Sequence, residues 1–78
     1  QMQFRDIRKK CGLTTTFVSQ KLGVKITTLY KYEQYQVLPS TSILLKMKEI
    51  YNCDYLELLE AYKFAKEAYC ERKAKKRN

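Results

Sequence analysis

The chain has 78 residues, and its 16 Lys and Arg against 8 Asp and Glu give it a net charge of +8. This length allows one domain, and 45% hydrophobic with 31% charged residues is typical of a folded chain rather than a disordered one. No apolar run reaches the roughly 20 residues of a membrane span. The three cysteines, without any histidine, form neither a disulfide framework nor a zinc motif. The positive charge favours a polyanionic partner, nucleic acid before an anionic membrane surface.

Apolar residues at three- and four-residue spacing predict an all-α fold without strands. In chain order, the predicted helices cover about residues 3–11, 15–22, 26–34, 41–51 and 55 to beyond 70. Gly12 and Gly23 end the first two helices, and Pro39 separates the third from the fourth. Asn52 can adopt the left-handed conformation that ends the fourth.

The second and third predicted helices are joined by a short turn at "LGV". Ser19 is small where the two helices approach each other, and Gly23 tolerates a positive φ in the turn. Apolar side chains from both helices line the interior: Val18, Leu22, Val24, Leu29 and Tyr32. This spacing is typical of a helix-turn-helix, whose second helix can enter the DNA major groove.

The stretch from Phe4 to Leu59 resembles the lambda-repressor/Cro-type, or Xre-family, helix-turn-helix domain. "FRDIRKKCGLT" is similar to its first helix, "VSQKLGVKITTLYKYE" to its helix-turn-helix, and "LPSTSILLKMKEIYNCDYLELL" to its closing segment. The resemblance implies a five-helix lambda-repressor-like DNA-binding domain, here with an extended C-terminal helix. It also implies that Arg8 and Glu33 form a structural pair that holds the recognition helix on the body.

The charged residues are distributed unevenly along the chain. Residues 1–62 carry 9 basic and 6 acidic side chains, whereas residues 63–78 carry 7 and 2. We therefore expect a DNA-binding domain over residues 1–62, with its helix-turn-helix at 15–34, followed by a basic C-terminal helix extension or tail over residues 63–78.

Four positions depart from the family pattern. Thr15 replaces a usual Gln, and Phe17 replaces a usual Glu, which removes the capping box of the second helix. Lys25 stands where a Ser often caps the third helix, and Tyr35 where a Gly often ends it. Phe17 is either an ordinary surface residue or part of a contact with another chain.

Leu29 and Tyr32 are predicted to face inward, so the opposite side of the third helix faces outward. Its side chains are the predicted base contacts: Ile26, Thr27, Tyr30 and Lys31. Predicted phosphate contacts lie near helix N-termini and in the loop before Pro39: Thr14, Thr15, Thr16, Lys25, Thr28, Gln36 and Ser40. The alternative is that the outward side of the third helix is ordinary protein surface that contacts no partner, since single exposed Ile and Tyr side chains are common.

A symmetric homodimer is expected, with recognition helices about 34 Å apart, because one small domain reads few base pairs. The apolar stripe of the last helix exceeds what a five-helix body is expected to cover. The predicted dimer interface comprises Leu59, Tyr62, Phe64, Ala65 and Tyr69. Alternatively, this segment folds back on its own domain or frays.

The leading hypothesis is a sequence-specific regulator of transcription that binds double-stranded DNA, a repressor acting as a dimer on a palindromic operator. The protein is expected to be encoded by a bacterium or a phage and to act in the bacterial cytoplasm, at the nucleoid. We expect no enzyme activity, metal, cofactor, small-molecule ligand or membrane partner. The alternative is a protein-interaction module of the antitoxin or adaptor kind with the same fold. A third possibility is nonspecific binding of nucleic acid by the basic tail.

Overall fold

The computed structural model describes residues 3–76 of the chain, with side chains to residue 74, and within that range it contains helices but no strand. The five helices are α1 (Phe4–Lys10), α2 (Thr15–Leu22), α3 (Ile26–Glu33), α4 (Thr41–Tyr51) and α5 (Tyr55–Lys76). The predicted all-α fold with an extended last helix is confirmed. The boundary drawn at residues 62 and 63 falls inside α5, which continues without a break.

The helix ends follow local chemistry that is visible in the sequence. The Thr14 hydroxyl oxygen accepts the backbone N–H of Phe17 at 3.1 Å, and the Ser40 hydroxyl oxygen caps α4 in the same way. Gly23 ends α2 at φ 75°, and Asn52 ends α4 at φ 48°. These caps satisfy backbone groups that a helix end would otherwise leave unpaired.

All five helices contribute to one apolar core. Its buried side chains are Phe4, Ile7, Val18, Leu22, Leu29, Tyr32, Leu44, Met47, Tyr51, Leu58, Ala61 and Ala65. Each large aliphatic or aromatic member contributes roughly 1.5–3 kcal/mol through removal from water. The two small residues, Ala61 and Ala65, lie one turn apart on α5 and let this helix approach the body closely.

The second half of α5 is better covered than the sequence predicted. Ala65 is fully buried, and the Phe64 ring lies edge-to-face against Tyr35, with ring centroids 5.5 Å apart. The expectation that the body could not cover this stripe is therefore wrong for Ala65, because α5 folds along the body, whereas Phe64 is half-buried. Leu59, another residue of the predicted dimer interface, is 39% exposed.

The sequence predicts a first helix over about residues 3–11, but α1 ends at Lys10. Cys11 instead follows α1 on the surface, where its thiol donates a hydrogen bond to the Tyr51 carbonyl oxygen at 3.1 Å. Cys11 is the C-cap residue of α1, with φ −82° and ψ −6°, and it is exposed although it lies four residues after the buried Ile7.

None of the helices within residues 3–76 combines the length and apolarity that crossing a membrane requires. No group of three His, Cys, Asp or Glu side chains suited to a metal ion occurs among the described side chains.

Tyr51 carries a buried hydroxyl that has no hydrogen-bond partner among the described residues. An unpaired buried polar group costs about 1–3 kcal/mol in desolvation. We therefore predict that Tyr51→Phe leaves the free energy of unfolding unchanged at pH 7 or raises it by about 1 kcal/mol, as measured by urea denaturation. A loss of more than about 2 kcal/mol would show that this hydroxyl has a partner.

The Tyr51 hydroxyl also makes the stability of the protein depend on pH. Burial, reinforced by the nearby Glu33 charge, raises the pKa of Tyr51 far above its usual value. The unfolded chain loses this proton near pH 10, whereas the folded chain keeps it, so stability falls as pH rises above about 10. Tyr51→Phe should reduce this alkaline loss, and identical losses in variant and wild type between pH 8 and 10.5 would contradict the assignment.

Candidate nucleic-acid interface

The interface begins with the contact that holds α3 on the body. Arg8 of α1 and Glu33 at the end of α3 form a bidentate ion pair, with Nε–Oε2 at 2.7 Å and Nη2–Oε1 at 3.1 Å. Their side chains are only 11% and 5% exposed, and Arg8 Nη1 also donates to the Leu13 carbonyl oxygen at 3.1 Å. The hydrogen bond to Glu33 raises the pKa of Arg8 despite the opposing effect of burial. This pair fixes the rotation of α3 about its own axis.

That rotation decides which side chains α3 presents to solvent. Leu29 and Tyr32 are buried, while Ile26 and Tyr30 are 36% and 43% exposed. Thr27 and Lys31 are exposed as well, and Thr28 is half-buried at the margin. The structure thus places all four predicted base-contact residues on the outer face. Their contact with bases stays a prediction.

The predicted phosphate contacts surround this face with differing exposure. Thr14, Thr16, Lys25, Gln36 and Ser40 are exposed, whereas Thr15 is half-buried. The caps leave the hydroxyl hydrogens of Thr14 and Ser40 free to donate, because both oxygens act there as acceptors. These hydroxyls can therefore donate to an anion without giving up their structural role.

One hydrogen bond joins the two helices of the helix-turn-helix at the surface. The Thr15 hydroxyl, in the first turn of α2, lies 3.3 Å from the Tyr30 hydroxyl on the outer face of α3. A predicted phosphate contact and a predicted base contact are thereby brought together. The N-terminus of α2 and the exposed side of α3 form one continuous surface.

The electrostatics of this surface follow from the sequence once the ion pair is known. Between residues 11 and 48 the only carboxylate is Glu33. It is buried and neutralised by Arg8. Lys25 and Lys31 are exposed on the same segment. The exposed part of the helix-turn-helix is therefore uniformly positive or neutral, which favours a polyanion.

Tyr35 occupies the position where the family often has a glycine, and it has the backbone conformation of one. Its φ is 63°, a region that costs a residue with a Cβ about 1–2 kcal/mol. Its hydroxyl donates to Gln3 Oε1, and its ring packs against Phe64 of α5. Burial raises the pKa of this hydroxyl. The loop that follows α3 is therefore held from two sides, by Gln3 before α1 and by Phe64 of α5.

Phe17 replaces a family glutamate and is 41% exposed. The Lys21 ammonium lies 5.5 Å from the centre of its ring, a cation–π arrangement within α2. The side chain therefore has a neighbour on its own helix, and a contact with another chain stays a prediction.

The positions of two residues near these surfaces were not predicted from the sequence. Arg72 was assigned to the basic tail, but its Nη1 lies 3.4 Å from the Gln34 carbonyl oxygen, directly after α3. Leu56 is 62% exposed and lies one turn before Leu59 on α5, although it was absent from the predicted dimer interface. The three-residue spacing of the two leucines was a usable signal, whereas nothing local indicated the position of Arg72.

The profile of the helix-turn-helix family matches residues 4–58, which is more than half of the chain. No curated protein and no solved structure matches the chain.

The buried ion pair predicts a specific pattern of stability losses. Arg8→Met leaves Glu33 buried without a partner and should lower the free energy of unfolding by about 3 kcal/mol. The double variant Arg8→Met/Glu33→Leu should regain most of this loss, because no uncompensated charge remains. The measurement is urea denaturation at pH 7.

Lys10 and Glu57 provide the matched control, since their Nζ–Oε1 distance is 3.8 Å and Lys10 is 62% exposed. Lys10→Met should cost less than about 1 kcal/mol. Equal losses in Arg8→Met and Lys10→Met would contradict the special position of the Arg8–Glu33 pair.

Proposed function

Because this chain belongs to the lambda-repressor (Xre) type of helix-turn-helix family, which is a family of DNA-binding proteins, we propose that it is a sequence-specific transcriptional repressor. The observation that carries the proposal is the set of side chains on the outer face of α3. It exposes Thr27, Tyr30 and Lys31 on a helix whose orientation is fixed by a buried ion pair. The only carboxylate nearby along the chain is hidden in that pair.

The proposed base readout uses the chemistry of the exposed side chains in the major groove. Lys31 donates to the O6 or N7 acceptor of a guanine, and Thr27 hydrogen-bonds to a base edge. Ile26 packs against a thymine methyl group. Tyr30, already next to Thr15, reaches either a base or a phosphate. These contacts specify sequence, because each base pair presents a distinct pattern in that groove.

Phosphate contacts fix the position of α3 in the groove but carry no sequence information. We assign them to the threonines at the start of α2 and to Lys25, Thr28, Gln36 and Ser40. The exposed hydroxyls and amide donate hydrogen bonds, and Lys25 supplies charge at the N-terminus of α3, where the helix dipole also favours an anion.

The protein is proposed to bind as a homodimer on a palindromic operator. Two exposed leucines, Leu56 and Leu59, lie on one side of α5 and supply the apolar centre of an interface between copies. The half-buried rings of Tyr62 and Tyr69 lie on the same helix at its margin. In such a dimer the recognition helices are expected to lie in successive major grooves, about 34 Å apart.

Repression would follow from occupancy of the operator, which blocks access of the polymerase. The protein is proposed to act in the cytoplasm of a bacterium and to be encoded by the bacterium or by a phage. Control through protein concentration or a competing repressor requires no small-molecule ligand.

Selection of bound duplexes from a random pool tests the function directly. The expected result is a palindromic consensus, and Thr27→Ala and Lys31→Ala should each weaken binding to it by roughly 5- to 150-fold, about 1–3 kcal/mol. Lys46→Ala, at an exposed position of α4 outside both the proposed DNA contacts and the proposed dimer surface, is the control and should change affinity little.

Two other results would reject the proposal. Absence of duplex binding even at low salt would favour the protein-interaction module. Alternatively, binding that vanishes on deletion of residues 72–78 but ignores Thr27→Ala and Lys31→Ala would assign the affinity to nonspecific attraction by the tail.

The dimer is tested by sedimentation of Leu59→Glu. A charge at this exposed position should yield monomers without unfolding the protein, because Leu59 is not part of the buried core. Leu45→Glu changes an exposed leucine on α4 and should leave the dimer intact. Dimers that persist in Leu59→Glu would reject the α5 interface.

A further inference from the structure

The basic end of α5 returns to the end of the recognition helix. Arg72 Nη1 lies 3.4 Å from the carbonyl oxygen of Gln34, the residue that follows α3. Lys31, Gln36, Val37 and Arg72 line an open cavity of about 330 Å³. This volume is several times the roughly 30 Å³ that a water occupies in the liquid. It is therefore large enough to admit a phosphate group with its flanking atoms.

The lining of this cavity is cationic and lacks a carboxylate. The ion pairs among the described residues join Arg8 to Glu33 and Lys10 to Glu57, so neither Lys31 nor Arg72 takes part in one. Two positive charges beside one cavity repel each other, and an anion between them removes this repulsion. The cavity therefore has the electrostatics of an anion site.

A neutral donor completes the lining. Gln36 Nε2 donates one hydrogen to Gln34 Oε1 at 3.0 Å, which orients the amide and leaves its second hydrogen available. The Arg72 guanidinium offers several N–H groups in a planar fork, an arrangement that matches phosphate oxygens. Its bond to Gln34 uses only one of them.

We propose that this cavity binds a backbone phosphodiester of duplex DNA, with Arg72 as the principal donor and Gln36 as the second. The inference rests on the proposed function, since the phosphate is delivered when α3 enters the groove. Lys31 lines the α3 side, so the bound phosphate lies next to the base assigned to Lys31. The extension of α5 thus becomes a second anchor on the DNA backbone, separate from the N-terminus of α2.

The adjacent lysine shows why the site is assigned to Arg72 rather than to the tail as a whole. The Lys73 ammonium lies 5.0 Å from the centre of the Tyr69 ring on its own helix. Lys73 is absent from the cavity lining. Lys73→Gln removes the same charge one residue away and is therefore a matched control for Arg72→Gln.

The test measures affinity of the full-length protein for the selected duplex and for an unrelated duplex over a series of salt concentrations. Loss of one phosphate contact lowers the slope of log affinity against log salt by about 0.9 per protomer. We expect this change in Arg72→Gln, with an equal factor of weakening on both duplexes. Arg72→Lys keeps the charge and should keep most of the slope, whereas Lys73→Gln should change it much less.

The contradicting outcomes are distinct. An unchanged slope in Arg72→Gln, or equal changes in Arg72→Gln and Lys73→Gln, would overturn the phosphate site while the sequence preference of the wild type still supports the proposed function. Weakening confined to the selected duplex would assign Arg72 to base readout and overturn the site as well. A wild-type protein that binds no duplex at low salt would overturn both proposals.

Discussion

The ion pair between Arg8 and Glu33 is the contact on which the proposed DNA-binding surface depends. It joins side chains 25 residues apart in the sequence, so it links α1 to the end of α3. It fixes the direction in which α3 faces and hides the only carboxylate between residues 11 and 48. The orientation of the recognition helix and the positive potential of its outer face therefore have a common origin.

The extended last helix imposes a second constraint. Phe64 packs on Tyr35, which is held in a left-handed conformation after α3, and Ala65 completes the core. Because α5 is bound along the body in this way, its basic end reaches the C-terminal end of α3. The exposed apolar surface of α5 is correspondingly smaller than the sequence implied, and it centres on Leu56 and Leu59.

Much of this fold could be predicted because its signals are local. Thr14 and Gly23 set the two ends of α2, by side-chain capping and by a left-handed backbone conformation, and apolar spacing identified the inward faces of α2 and α3. The burial of Ala65 and the position of Arg72 depend instead on where α5 lies relative to the other helices, which no local pattern encodes. Exposure of Ile26, Thr27, Tyr30 and Lys31 followed from periodicity, whereas their contact with bases depends on a partner that the chain alone does not specify.

The most direct test is an amide chemical-shift map of the protein in complex with its selected duplex. The account predicts that the largest changes fall on residues 26–31 and on the first turn of α2, with a second group around Gln36 and Arg72. Changes confined to the basic end of α5, with the amides of α3 unaffected, would contradict it.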